Sequence, residues 1–364
     1  MVVRHTCEAL ARQGQLVEVF TRWSDPAAPT FEERDGVVIH RLEAGPVVAL
    51  PKGDHELHMT EFGRQVALQG RYDLLHSHHW FSGMAAFPVA REWGVPHVQS
   101  FHSIAAPTHT DLSQGERPES PGRLQGEAFL AQVSDAVVAV SNAEARTAVE
   151  RLKAPAARLR VIHPGVDTHE FRPRAQALPG RQTVLVAARL EPLKGVDLAI
   201  AMLAQLPPGE RPLLQVVGGP SADLAFVDSL AQLASDLGVR ADVDFLGPRD
   251  RAGLAGLMRQ AALVLVPSHS ETYGLVALEA SASGVPVVAG AGGGPGGAGR
   301  GGGAGGRPPP RGPVGRAAVV ARLLADVGKR ERMGAAGREY ALGRSWESVA
   351  NATLVAYREL LAAG

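Results

Sequence analysis

The chain has 364 residues, 45% of them hydrophobic, with 37 basic and 37 acidic side chains. That length suits two domains of ordinary size, and the even charge leaves no excess to attract nucleic acid or an anionic membrane surface. The lone cysteine, Cys7, builds neither an internal disulfide nor, by itself, a zinc site, which fits a reducing cytoplasm; neither an apolar run of the roughly 18 residues a membrane helix needs nor the order of a signal peptide is present.

The opening MVVRHTCEALARQGQLVEVFTR reads as a helix and then a strand. A doubly wound domain starts instead with a central strand and a Gly-rich turn, so the chain opens one element late. Short apolar runs then alternate with Ala/Leu/Arg segments of helical period, with strands expected at Leu16 to Phe20, Leu74 to His76, His97 to Ser100, Ala136 to Val140 and Arg160 to His163. HPGVDTHEFRPR, residues 163–174, breaks the pattern with two prolines and a glycine and reads as an interdomain linker. A second series follows at Thr183 to Leu190, Leu213 to Gly219, Val243 to Gly247, Leu263 to Pro267 and Val285 to Gly290.

Such alternation predicts an α/β protein with two doubly wound, Rossmann-like domains facing a cleft. The first spans residues 1–165, truncated at its start, and the second spans 166–340. A helix within 341–364 is expected to pack back across the junction. One stretch resists this reading: in residues 290–316, 14 of 27 residues are glycine and most of the rest proline, arginine or alanine. Nothing there can build a core element. A flexible lid has this composition, and so does a GC-rich gene translated out of frame, the preferred reading.

The segment VPSHSETYGLVALEASASGVPVVA places Glu271 in a polar turn and Glu279 inside the helix that begins near Gly274. The backbone N–H groups of Tyr273 to Val276, Gly274 and Leu275 among them, then lie at a helix N-terminus, a setting that takes phosphate. Carboxylates suit the hydroxyls of a sugar or ribose; the plainer alternative is a cap at Glu271 and a surface acid at Glu279. In AARLEPLKGVD, Arg189 and Lys194 stand in a strand-to-helix loop where two cations would neutralise a diphosphate, though singly each reads as a solvated charge. Gly218 and Gly219 in VVGGP allow close backbone approach to a ligand. His76 and His78 of HSHHW fall on one side of a strand, but no third ligand arrives at metal-site spacing, so no metal is assigned. His102 is placed facing the expected cleft.

Together ARLEPLKG, VVGGPS, VPSHSETYGLVALEASASGVPVVA and HPGVDTHEFRP resemble the retaining glycosyltransferases of family 4, with the GT-B fold, Glu271 and Glu279 forming the E-x7-E motif. The match runs over residues 3–289 and again from about 317 to 362. AGPVVALPK, YDLLHSHHWFSG and WGVPHVQSFHS look most like the members that glycosylate 1D-myo-inositol 3-phosphate at the start of mycothiol synthesis. The resemblance implies a UDP-sugar donor, N-acetylglucosamine by analogy, with Arg189 and Lys194 on its diphosphate and Glu279 on the ribose. Glu271 and the Tyr273–Leu275 backbone would hold the hexose, and His102 would stand near it. It implies a small polar or phosphorylated acceptor whose phosphate meets Lys52, His79, Ser103 and Arg123, with histidine in place of the family's tyrosine and serine in place of its threonine. No metal or other cofactor is implied, the setting is cytoplasmic, and a homodimer is compatible.

Two departures stand out. The family's first strand and its Gly-Gly-Met-Asn loop are absent, and the 290–316 tract replaces the family's Gly-Leu-Pro-Glu segment; both would impair activity. The donor motifs are shared with sucrose-phosphate-synthase-like and other family 4 enzymes. A UDP-N-acetylglucosamine 2-epimerase or a non-catalytic nucleotide-sugar-binding relic are the other readings.

Overall fold

A computed structural model describes residues 1–174, 180–220, 224–290 and 312–363. It divides into two compact units, Met1–Gly165 with Trp346–Gly364, and Val166–Ser345. Both are α/β. Residues 291–311 of the glycine-rich tract lie outside the described residues.

In the first unit, helix α1 (Val2–Arg12) leads into strands β1 (Val17–Arg22), β2 (Phe31–Arg34) and β3 (Val37–Leu42). β2 and β3 form a hairpin that the apolar-run criterion passes over, because FEER carries almost no apolar residues. Its turn is nevertheless written in the sequence: Asp35 and Gly36 both take positive φ, as an Asp-Gly two-residue hairpin turn requires. β3 also pairs in parallel with β1, giving the sheet order β1-β3-β2.

A short 3-10 turn at Lys52–His58 and α2 (Met59–Ala67) come next, followed by β4 (Leu75–His78), α3 (Trp80–Trp93), β5 (His97–Ser100), α4 (Arg123–Val133), β6 (Ala136–Ala139), α5 (Asn142–Glu150) and β7 (Leu159–Val161). These four strands make a parallel sheet in chain order, β4-β5-β6-β7. Every residue of β5 and β6 is buried, as expected for strands covered on both faces. α3 stops at Gly94, whose left-handed φ of 70° closes the helix, and α5 starts at Ser141, whose hydroxyl accepts from the Glu144 N–H at 3.1 Å.

The second unit holds β8 (Thr183–Ala187), α6 (Val196–Ala204), β9 (Leu213–Val217), α7 (Leu224–Asp236), β10 (Val243–Gly247), α8 (Arg251–Gln260), β11 (Leu263–Val266), α9 (Leu275–Ala282), β12 (Val287–Ala289), α10 (Pro313–Ala325) and α11 (Val327–Leu342). Its five strands are all parallel, in the order β10-β9-β8-β11-β12. Val184, Val186, Leu214, Val216, Leu263 and Leu265 interleave with Ile200, Met202 and Leu203 of α6 to form its core.

One sequence expectation needs correcting. Residues 166–174 are no free linker: Val166 and Phe171 are buried, the Val166 N–H donates to the Arg344 carbonyl at 2.9 Å, and Arg338 donates to the carbonyls of Thr168, Phe171 and Ala282. Buried apolar anchors and satisfied carbonyls override the prolines. The last helix is α12 (Trp346–Ala363). It belongs to the first unit, where its Trp346, Val349 and Ala350 join Ala9 and Leu10 of α1 in one buried cluster. Among the described residues no helix is long and apolar enough to cross a membrane.

Candidate active site

The strand order of the second unit locates its crevice. From β8 the chain steps outward to β9 and β10, then returns to the other side of β8 for β11 and β12. Ligands of such sheets bind beyond the carboxyl ends of the strands at this reversal, between β8 and β11. The segment after β8 carries Arg189 and Lys194; that after β11 carries Glu271, Tyr273 and Gly274. The two segments are joined, since the His269 N–H donates to the Leu193 carbonyl at 2.9 Å and Lys194 Nζ lies 3.2 Å from Glu271 Oε2. Ser268 donates to the same carboxylate oxygen at 3.3 Å. Arg189 reaches out, 59% exposed, and pairs with Glu191 at 2.9 Å.

Helix α9 begins at Gly274, whose φ of 92° swings the chain into the helix, and no side chain caps it. Its first-turn N–H groups have no earlier helical carbonyl to bind, which suits an anion. Tyr273 is buried, so its phenol is withdrawn from ligand and only its backbone can serve. The loop after β9 packs tightly: a Cβ on Gly218 would stand 1.7 Å from the Ala188 carbonyl oxygen, so only glycine fits beneath the Arg189 loop. Gly219 accepts from the Leu190 N–H at 3.0 Å.

Glu279 is buried, contrary to a surface acid, and its Oε1 meets Arg251 Nη1 at 3.1 Å. Arg251 also holds Glu170 at 2.9 Å and lies over the Phe171 ring at 4.9 Å. Burial pushes the Glu279 carboxyl up to about 7 despite the guanidinium. Sequence reading missed Arg251 and Glu170, and no local spacing could have paired residues 28 positions apart.

His102, Lys52, His79, Ser103 and Arg123 belong to the first unit. Both histidines have left-handed backbones just past strand ends, with φ of 70° at His79 and 62° at His102. Non-glycine residues in that region are strained, and such strain concentrates at functional sites. His102 Nε2 lies 2.8 Å from His78 Nδ1, and His78 stacks on His76, whose ring binds Tyr357 Oη at 2.6 Å and Ser100 Oγ at 2.9 Å. Burial holds His102 down at about 4 and His76 at about 3, so the row of rings is neutral at physiological pH. Among the described residues no group of three or more His, Cys, Asp or Glu is placed to hold a metal.

Lys52, His79, Ser103 and Arg123 come from four separate segments and converge. Arg123 is fully buried, ion-paired through Nε to Glu127 at 2.7 Å and through Nη1 to Glu119, and its Nη2 donates to Ser103 Oγ at 3.0 Å. Lys52 Nζ lies 3.1 Å from Glu116 and 3.7 Å from Glu119; His79 Nε2 lies 3.6 Å from Glu119. The sequence reading named the four convergent residues but neither Glu116 nor Glu119.

Residues 1–170 match the family model described as Glycosyltransferase Family 4, and residues 167–340 match that for Glycosyl transferases group 1. A D-inositol 3-phosphate glycosyltransferase of Kribbella flavida is 38% identical over 370 aligned positions, covering 96% of this chain and 87% of that one. Sucrose-phosphate synthase from Thermosynechococcus elongatus superposes with a TM-score of 0.86 at 28% identity, covering 100% of this chain and 93% of the other. HepE of Anabaena, solved in complex with UDP and glucose, gives a TM-score of 0.73 at 21% identity over 90% of this chain and 87% of its own; at that identity the likeness is one of fold.

Proposed function

Because this chain belongs to glycosyltransferase family 4 and is a glycosyltransferase, we propose that it moves N-acetylglucosamine from UDP to 1D-myo-inositol 3-phosphate with retained configuration. The observation that carries the acceptor is the convergence of Lys52, His79, Ser103 and Arg123 on one anion-filled position. Two fixed cations, a hydroxyl and an imidazole are the donors that a phosphate ester takes.

On the donor side, Arg189, Lys194 and the first turn of α9 would receive the diphosphate, and Glu279 would accept from the ribose hydroxyls. As the bond from the anomeric carbon to the UDP oxygen breaks, negative charge grows on the diphosphate, and preorganised cations there lower the barrier. The acceptor hydroxyl adds to the same face of the sugar and gives its proton to the departing phosphate oxygen, so no protein nucleophile is needed. Lys194 now rests on Glu271, and donor binding would exchange that carboxylate for phosphate and leave Glu271 to the hexose hydroxyls. We place this reaction in the cytoplasm.

A second reading, transfer to a sugar phosphate, is favoured by the whole-length likeness to sucrose-phosphate synthase. Incubation with UDP-N-acetylglucosamine and inositol 3-phosphate separates the two. UDP release with a glycosylated cyclitol supports the first reading; turnover only with a hexose phosphate supports the second.

A further inference from the structure

Glu116 and Glu119 sit where no stretch of the sequence called for acids, and together they take up the donors of the acceptor pocket. Ser103 Oγ donates to Glu116 Oε2 at 2.7 Å, and Arg123 Nη2 approaches the same oxygen at 3.5 Å. The buried Trp80 indole N–H donates to Glu119 Oε1 at 3.0 Å, while Arg123 Nη1 binds Glu119 Oε2. Lys52 spans both carboxylates. Burial favours protonation of Glu116, but Lys52, Arg123 and the Ser103 hydroxyl outweigh it and hold the carboxyl at about 2, so it stays ionised.

One ring nitrogen is left over. His79 Nε2 is buried with no hydrogen-bond partner, 3.6 Å from the nearest Glu119 oxygen. The two carboxylates therefore leave this position incompletely matched, and an anion with an oxygen within reach of His79 Nε2 would satisfy it better. The backbone is built to bring the acids in: a Cβ on Gly53 would stand 2.3 Å from the Glu119 carbonyl oxygen, so the Lys52 segment lies directly against the acidic loop because residue 53 is glycine.

Resting on the proposed phosphorylated acceptor, we infer that Glu116 and Glu119 are specificity-determining residues that occupy the acceptor's phosphate position and are displaced by it. They act as an internal competitor. A hydroxyl-only sugar brings no charge to exchange for theirs and is excluded, whereas a dianionic phosphate ester replaces both carboxylates and takes up the His79 nitrogen as well. The loop they sit on keeps its own anchors throughout, with Arg117 held by the Pro107 carbonyl and Thr110. Displacement therefore requires only that the two side chains swing away.

The test compares the full chain with the Glu116→Gln/Glu119→Gln variant, which removes charge while keeping shape, using inorganic phosphate as the probe. The expected result is phosphate affinity higher by roughly tenfold or more in the variant, because two like-charged competitors are gone. In the parent chain, the indole N–H NMR resonance of Trp80, assigned by Trp80→Phe, should shift as phosphate saturates, since Glu119 leaves it. Unchanged or weaker phosphate binding by the folded variant overturns the inference, as does a fixed Trp80 signal at saturating phosphate. If the double variant melts early, Glu116→Gln alone decides the matter by the same titration, because that side chain is partly exposed. Tighter phosphate binding without any glycosylation of inositol 3-phosphate would sink the proposed acceptor and leave the inference standing.

Discussion

Replacing Glu279 by glutamine should remove a titration that the fold imposes. The Glu279 side chain is 6% exposed beside Arg251, and its carboxyl rises from 4.5 to about 7. A shift of that size corresponds to about 3 kcal/mol, at roughly 1.4 kcal/mol per pH unit. For an acid raised in the folded state, the native protein holds a proton that the unfolded chain has already lost. Its contribution to stability therefore falls as pH rises from 4.5 to about 7 and is level above that. Glutamine mimics the protonated acid at every pH. The stability difference between parent and Glu279→Gln, measured by urea unfolding at pH 5 and pH 8, should thus change by about 3 kcal/mol in favour of the variant at the higher pH. Uridine, which carries ribose hydroxyls but no phosphate, should bind the parent roughly tenfold more tightly at pH 8 than at pH 6, because the ionised fraction rises about tenfold around a midpoint near 7. The variant should show no such trend. Parallel stability profiles, together with uridine affinity equally flat in both proteins, would refute the role given to this carboxylate.

Gly218→Ala drives a methyl into the Ala188 carbonyl and should cost about 1 to 3 kcal/mol in thermal unfolding while weakening UDP binding. Arg123→Met leaves Glu127 and Glu119 without their buried cation and should cost about 3 to 5 kcal/mol, far more than Glu116→Gln, whose side chain is partly exposed. We also propose that Arg189, Lys194 and the first turn of α9 neutralise the leaving diphosphate without a metal, so turnover should persist in excess EDTA; loss of turnover restored by added magnesium would contradict this.

The fold class was legible because buried parallel strands leave continuous Val/Leu/Ile runs, as in LVLV at β11 and TVLVA at β8. β2 was not, since FEER is an edge strand whose apolar content is one phenylalanine. At the site, single loops could be read: Gly274 does stand at a helix start with a left-handed backbone. Partnerships between distant segments could not. Arg251 on Glu279 and Lys52 on Glu116 depend on which loops the fold brings together, whereas Glu119 stands only four residues before Arg123 and was a local signal passed over. The left-handed backbones of His79 and His102 are equally silent in the sequence, because no glycine or asparagine marks them.

Calorimetric titration of UDP into the Arg189→Ala/Lys194→Ala variant tests the central claim most directly, namely that these two cations and the start of α9 form a diphosphate site. Affinity should drop by roughly a hundredfold or more, since each charge-assisted contact contributes about 1.5 to 3 kcal/mol. A folded variant that binds UDP as tightly as the parent chain would contradict the account.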